Sequence, residues 1–151
     1  MAEKPRTMNA PGRIVLDANI LLRAVFGVRV RSLLETYEES VLFYAPDVCF
    51  HDAERYIPAI STKRRIDPAP GLAVLRQLTS LVGVVDESLY IGYEAAAKAR
   101  IGHRDMDDWP IVASALLLCC PVWTEDQDFL GSGLSTWTTQ TVELFLKDRE
   151  V

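Results

Sequence analysis

Residues 13–27 read RIVLDANILLRAVFG. Arg13 to Leu16 form a short apolar run of the kind found in strands buried on both faces. The run passes straight into the polar group Asp17-Ala18-Asn19, and a helix is predicted over Ile20–Phe26, closed by Gly27. An apolar strand that stops on an acid and turns at once into a helix is the repeating unit of an α/β sheet.

The same alternation continues outward. A helix is predicted over Ser32–Glu39 and a strand over Val41–Ala45, ended by Pro46. Cys49, Ala53, Tyr56, Ile57 and Ile60 recur at helical spacing behind Asp47 as N-cap, with Pro58 predicted to kink or end that helix. STKRRIDPAP (61–70) reads as a basic connector. Leu72, Leu75, Leu78 and Leu81 mark the next helix, and Val82–Asp86 the next strand. Ser88 opens a helix with Leu89, Tyr93, Ala97 and Ile101 on one face and Gly102 at its end. After the loop HRDMDD (103–108), Trp109–Cys120 is apolar nearly all round, which predicts a deeply buried helix. Strands at Pro121–Thr124 and near Ser135–Thr138 and a helix over Thr141–Asp148 complete the chain. The expected fold is a three-layer α/β/α sandwich on a mostly parallel sheet of four to five strands. Residues 13–151 form one domain in this reading, and residues 1–12 a flexible tail.

Composition agrees. A chain of 151 residues, 49% hydrophobic and 25% charged, is of ordinary size and make-up for one globular domain. Sixteen Lys and Arg against 21 Asp and Glu give a net charge of −5, which argues against a general basic coat for nucleic acid. Cys49, Cys119 and Cys120 have no metal-ligand spacing and read as buried free thiols of a reducing compartment. The first apolar stretch carries Asp17 and Arg23, so it is no secretory segment, and the apolar run Ile111–Cys120 is far short of the ~20 residues a bilayer needs. A cytoplasmic protein is expected.

Ligands of such sheets bind outside the carboxyl ends of the strands. Two apolar strands end there in an acid, RIVLD at Asp17 and PVWTED at Asp126. Asp108 opens the buried helix that feeds the second of these strands. Glu54 stands one position beside the apolar stripe of its own helix. Convergence of four carboxylates costs free energy unless a cation offsets it, and oxygen-only ligands favour Mg²⁺ or Mn²⁺. Metal-assisted phosphodiester hydrolysis is the chemistry this implies. Taken singly, Asp108 reads as an N-cap, Asp126 and Asp128 as turn residues and Glu54 as a solvated helix charge; the combination is what points to a site. His51 and His103 have no zinc spacing, and neither a GxxxxGK loop nor a GxSxG elbow is present.

Together, IVLDANILLRAVFG, HDAERYIPAI, RDMDDWPIVASAL and VWTEDQDF resemble a PIN-domain ribonuclease over roughly residues 13–146. The set D-x-N after the first strand, an acidic helix position, D-x-x-x-x-A-x-A and T-x-D-x-D-F is specific as a combination. The resemblance implies that Asp17, Glu54, Asp108 and Asp126 are the catalytic acids, with Asp17, Asp108 and Asp126 on the metal. Asn19 and Thr124 are implied as positioning groups, and Asp128 as an auxiliary acid. Asp105 and Asp107 compete with Asp108, which is chosen from its spacing to Ala113 and Ala115. Asp47 shares a helical face with Glu54 and stays open as the second acid, whereas Asp52 points elsewhere on the wheel. Members of the family cleave RNA with Mg²⁺ or Mn²⁺, and many are VapC-like toxins that form homodimers and are silenced by an antitoxin protein.

RNA binding needs local positive charge. Arg23 and Arg29 follow the first strand, and Lys63, Arg64 and Arg65 form the basic run, so these are the expected RNA-binding residues. The rival class is a non-catalytic PIN-like module that docks RNA or protein, against which the retained acid set speaks. A phosphotransfer receiver domain is a third option, disfavoured because the late lysine, Lys147, falls in the final helix.

Overall fold

Strand β1 (Gly12–Leu16) lies at the centre of a five-stranded sheet of order β3-β2-β1-β4-β5. The computed structural model describes residues 12–102, 105–126, 129 and 132–149. His103, Arg104 and Asp128 of the sequence reading, and the tail up to residue 11, lie outside the described residues. Ile14, Val15 and Leu16 are all fully buried, as the middle strand of a sheet covered on both faces requires. β2 (Val41–Pro46) and β4 (Val122–Trp123) flank β1, and β3 (Val82–Val85) and β5 (Thr136–Trp137) are the outer strands. Each of these pairings is parallel, with Ile14 opposite Phe43 and Leu16 opposite Trp123.

The chain builds β1, β2 and β3 outward on one side, then returns to lay β4 and β5 on the other. The strand order therefore reverses between β1 and β4, where a crevice opens beyond the carboxyl ends. Helices α1 (Ala18–Phe26), α2 (Arg29–Tyr37), α3 (Asp47–Lys63) and α4 (Pro68–Leu78) pack on one another. Gly71 lets α4 approach closely, since a Cβ there would meet Ile57 Cγ2 at 3.1 Å. A second group, α5 (Glu87–Tyr90), α6 (Glu94–Ile101) and α7 (Trp109–Leu118), gathers around α7, which packs on β1 and β2. Helix α8 (Val142–Lys147) ends the described chain. Pro110 through Ala115 of α7 are all buried, in line with its apolar sequence. Among the described residues no helix is long and apolar enough to cross a membrane.

Three local expectations differ from the structure. Pro58 does not end α3, which runs on to Lys63. Pro58 and Glu54 are both exposed, so the carbonyl four residues back from the proline lies on a solvated face, where losing its partner costs least. The helix expected from Ser88 to Ile101 is broken by a 3₁₀ turn at Ile91–Tyr93, around Gly92. Tyr90, rather than Leu89 or Tyr93, turns inward: it is fully buried, while Leu89 is 60% exposed. Finally, Cys119 is exposed, at a left-handed residue that closes α7, and only Cys49 of the three thiols is buried.

Candidate active site

Asp17 follows the last residue of β1 and serves as N-cap of α1, its Oδ1 accepting from Ile20 N–H at 3.0 Å. Its Oδ2 accepts a short bond from the Thr124 hydroxyl at the end of β4. The same Thr124 oxygen accepts from Asp126 N–H at 2.9 Å. One buried hydroxyl thus ties the two acid-bearing strand ends together across the crevice. Asp17 is 5% exposed. Burial pushes its carboxyl up to about 6 against the pull of Thr124 and Ile20, and the charges of Asp126 and Glu125 add to the rise. Thr124→Val removes the bridging hydroxyl and leaves the buried Asp17 Oδ2 and the part-buried Asp126 N–H without it, a loss of about 1–3 kcal/mol. Thermal unfolding should show a midpoint several degrees lower for Thr124→Val and near wild type for Thr124→Ser.

Asp108 is half-buried at the start of α7, where its side chain makes no capping bond to that helix. Asp105 accepts from Asp107 N–H at 3.1 Å and caps the preceding 3₁₀ turn (Met106–Asp108), so the three crowded acids have separate positions. Beneath the edge lies Cys49, 2% exposed in the first turn of α3. Burial pushes its thiol up, and the carboxylates of Asp17, Asp52 and Asp108 push it further. The charges of all three acids act on this one buried sulfur, although among the described residues they do not close into a metal-sized cluster.

Glu54 is not among them. It is exposed on the other flank of α3, whereas Asp52 is half-buried and three residues from Cys49, on the same side of the helix. Asp47, the other rival, is engaged elsewhere: Oδ1 accepts from Tyr90 Oη at 2.7 Å and Oδ2 from Glu87 N–H at 3.2 Å. Asp47 thereby anchors α5 to the start of α3. In the sequence, the feature that sets Asp52 apart from Glu54 is its i, i+3 relation to Cys49.

Asn19 is exposed in the first turn of α1. Arg23 and Arg29 line a cavity of about 450 Å³ together with Glu125, Thr139 and Gln140, and Glu125 precedes Asp126 in the chain. Lys63, Arg64 and Arg65 stand at the far end of the 17-residue α3, roughly 25 Å along its axis from Asp47. Arg64 lies over the Phe26 ring at 4.9 Å. The basic residues are thus divided between the acidic edge and a remote helix end. Glu125, which the sequence reading passed over, accepts from Thr139 N–H at 2.7 Å. Burial pushes its carboxyl up, but the Thr139 bonds and the Arg23 charge outweigh that and hold it below the usual range.

Carboxylates with a hydroxyl between them are hard oxygen donors, the set that suits Mg²⁺ or Mn²⁺ rather than zinc. Among the described residues no three of these acids stand close enough to enclose an ion. The fit therefore rests on donor chemistry, on the desolvated Asp17 and on the shared edge.

Comparison with known proteins agrees with this fold. The chain superimposes on PAE2754 from Pyrobaculum aerophilum with a TM-score of 0.68 at 14% identity, over 91% of this chain and 90% of the other. VapBC2 of Rickettsia felis, bound to a DNA fragment from its promoter, gives 0.61 at 13% identity over 83% and 98%. A toxin–antitoxin complex from Klebsiella pneumoniae gives 0.60 at 16% over 83% and 97%. At such identities the likeness is one of fold. No curated protein matches the sequence. The PIN-domain family profile matches residues 15–147, nearly the whole of the sheet and its helices, and the chain belongs to the PIN-domain family.

Proposed function

We propose that the chain is a Mg²⁺- or Mn²⁺-dependent endoribonuclease and the toxin of a toxin–antitoxin pair. The observation that carries this reading is the desolvated Asp17 carboxylate at the β1–β4 switch point, tied through the Thr124 hydroxyl to Asp126. PIN domains are generally hydrolytic nucleases, and the Rickettsia and Klebsiella structures are of toxin–antitoxin proteins.

In this reading Asp17, Asp108 and Asp126 hold the cation, and Asp52 takes the fourth acidic place in preference to Glu54. A cation held by these residues would supply an acidified water and would offset charge on the phosphoryl oxygens. Asp17 needs little reorganisation, because Ile20 N–H and the Thr124 hydroxyl already fix its orientation. Thr124 also fixes the start of the loop that carries Asp126. Asn19 and Asp128 are supporting groups. Arg23 and Arg29 meet the RNA next to the acids, and Lys63, Arg64 and Arg65 meet it further along the strand. The antitoxin covers the acidic edge with positive charge, and the active form is a homodimer.

Incubation of the purified chain with an end-labelled random RNA pool tests this. Discrete fragments should form with Mn²⁺ or Mg²⁺ and vanish with EDTA. An intact pool at saturating metal, with folded protein, rejects the nuclease.

A further inference from the structure

The cavity at Arg23, Arg29, Glu125, Thr139 and Gln140 has a role that phosphate binding does not explain. It is a groove of about 450 Å³ that lies open to solvent over much of its surface. Its charges are balanced. Arg29 is paired with Glu143 at 3.0 Å, and Glu143 in turn accepts from Tyr37 Oη at 2.7 Å. The Arg23 charge bears on Glu125. A phosphate seated here would face the Glu125 carboxylate, so the lining favours a neutral ligand that both donates and accepts.

Glu125 is held in place from the core outward. The Nε1–H of Trp123, a fully buried side chain, donates to Thr139 Oγ1 at 3.1 Å, and Thr139 N–H donates to Glu125 Oε2 at 2.7 Å. A carboxylate accepts at about four lone-pair positions, so these bonds orient it without exhausting it. Glu125 also precedes Asp126 in the chain, which sets the cavity next to the acidic edge.

Resting on the reading of that edge as RNA-cleaving, we propose that this cavity is a base-reading subsite for guanine in single-stranded RNA. Guanine's Watson–Crick edge presents two adjacent donors, N1–H and N2–H, that match one carboxylate. Its O6 and N7 are the acceptors that arginine reads best. Adenine and cytosine offer the carboxylate a single exocyclic amine, and uracil a single ring N–H. A polar site of this kind rejects a ligand that leaves its groups unpaired.

Amide NMR of the full chain in EDTA, titrated with GMP, AMP, CMP and UMP, tests the subsite without any need for cleavage. All four carry the same phosphate, so a preference reports the base. GMP should shift the amides of Glu125, Thr139 and Gln140 and bind about tenfold or more tightly than the others. Glu125→Gln, which keeps an oxygen for Thr139 but turns an amine toward guanine, should erase that preference, and Arg23→Gln should weaken GMP. Affinities within twofold of one another, or unmoved amides at saturating GMP, overturn the proposal. A random RNA pool separates the two readings. Cleavage without guanine enrichment at one position beside the cut rejects the subsite and leaves the nuclease standing. GMP binding with an uncut pool keeps the subsite and rejects the nuclease.

Discussion

Asp17→Asn should fold, melt at a higher temperature than wild type in EDTA at pH 7.5, and lose RNA cleavage. The gain in stability follows from burial. The folded carboxyl titrates near 6 against an ordinary value of 3.8, so the fold favours the protonated form. The contribution of this group to stability is complete below 3.8 and is lost as pH rises through about 6. By pH 7.5 the ionised carboxylate costs up to about 3 kcal/mol relative to the neutral acid. Asparagine removes that charge, keeps an oxygen for Ile20 N–H and offers Thr124 a donor in exchange. A rise in midpoint of up to roughly 10 °C is expected for a chain of this size. Midpoints of the two proteins in EDTA should converge below about pH 4, separate as pH rises from 4 to 6, and stay apart above that. Cleavage should fall by more than about 100-fold, because losing the hydrogen-bond partners of a ligand alone costs 10- to 100-fold. A destabilised Asp17→Asn would mean that the carboxylate is balanced within the apo fold and needs no cation.

The second large effect separates two neighbours on α3. Asp52→Asn should lower kcat/KM for RNA cleavage by roughly 10- to 100-fold, while Glu54→Gln should stay within about twofold, as surface changes do. The charge of Asp52 reaches the same buried thiol as those of Asp17 and Asp108, and Glu54 faces solvent. Stability should not confuse the comparison. The ion pair that Asp52 makes with Arg55, 3.0 Å long, joins the half-buried Asp52 to an exposed, solvent-screened Arg55 and is worth at most about 1 kcal/mol. The reverse pattern, an inactive Glu54→Gln and an active Asp52→Asn, would restore the assignment drawn from the sequence.

The fold was legible where one kind of residue leaves a single physical option. Apolar runs that stop on Asp17 and Thr124 can only be strands that emerge at an edge, and the all-round apolar Trp109–Leu118 can only be a buried helix. The breaks were harder to read. Tyr90 is drawn into the core by the Asp47 carboxylate, 43 positions away, and a helical pattern cannot anticipate a partner so distant in sequence. Pro58 survives inside α3 because its face is solvated, which depends on packing that periodicity does not encode. At the candidate site, the strand ends marked Asp17, Thr124 and Asp126, which the structure joins by hydrogen bonds. On α3 a helical wheel gives angles but not which flank meets the sheet edge, so the choice between Glu54 and Asp52 needs the burial of each. The cavity at Glu125 was invisible, since it joins α1 to residues more than 100 positions later.

Thermal unfolding of wild type and Asp17→Asn in EDTA, Mg²⁺ and Mn²⁺ tests the metal-bearing edge most directly. An ion at about 100 times its dissociation constant should stabilise wild type by about 2.7 kcal/mol, a shift of roughly 5–10 °C. Asp17→Asn should show no such shift although it starts from the higher midpoint. Equal shifts in the two proteins would place the ion elsewhere, and no shift in wild type up to millimolar Mn²⁺ would contradict a metal-dependent nuclease at this edge.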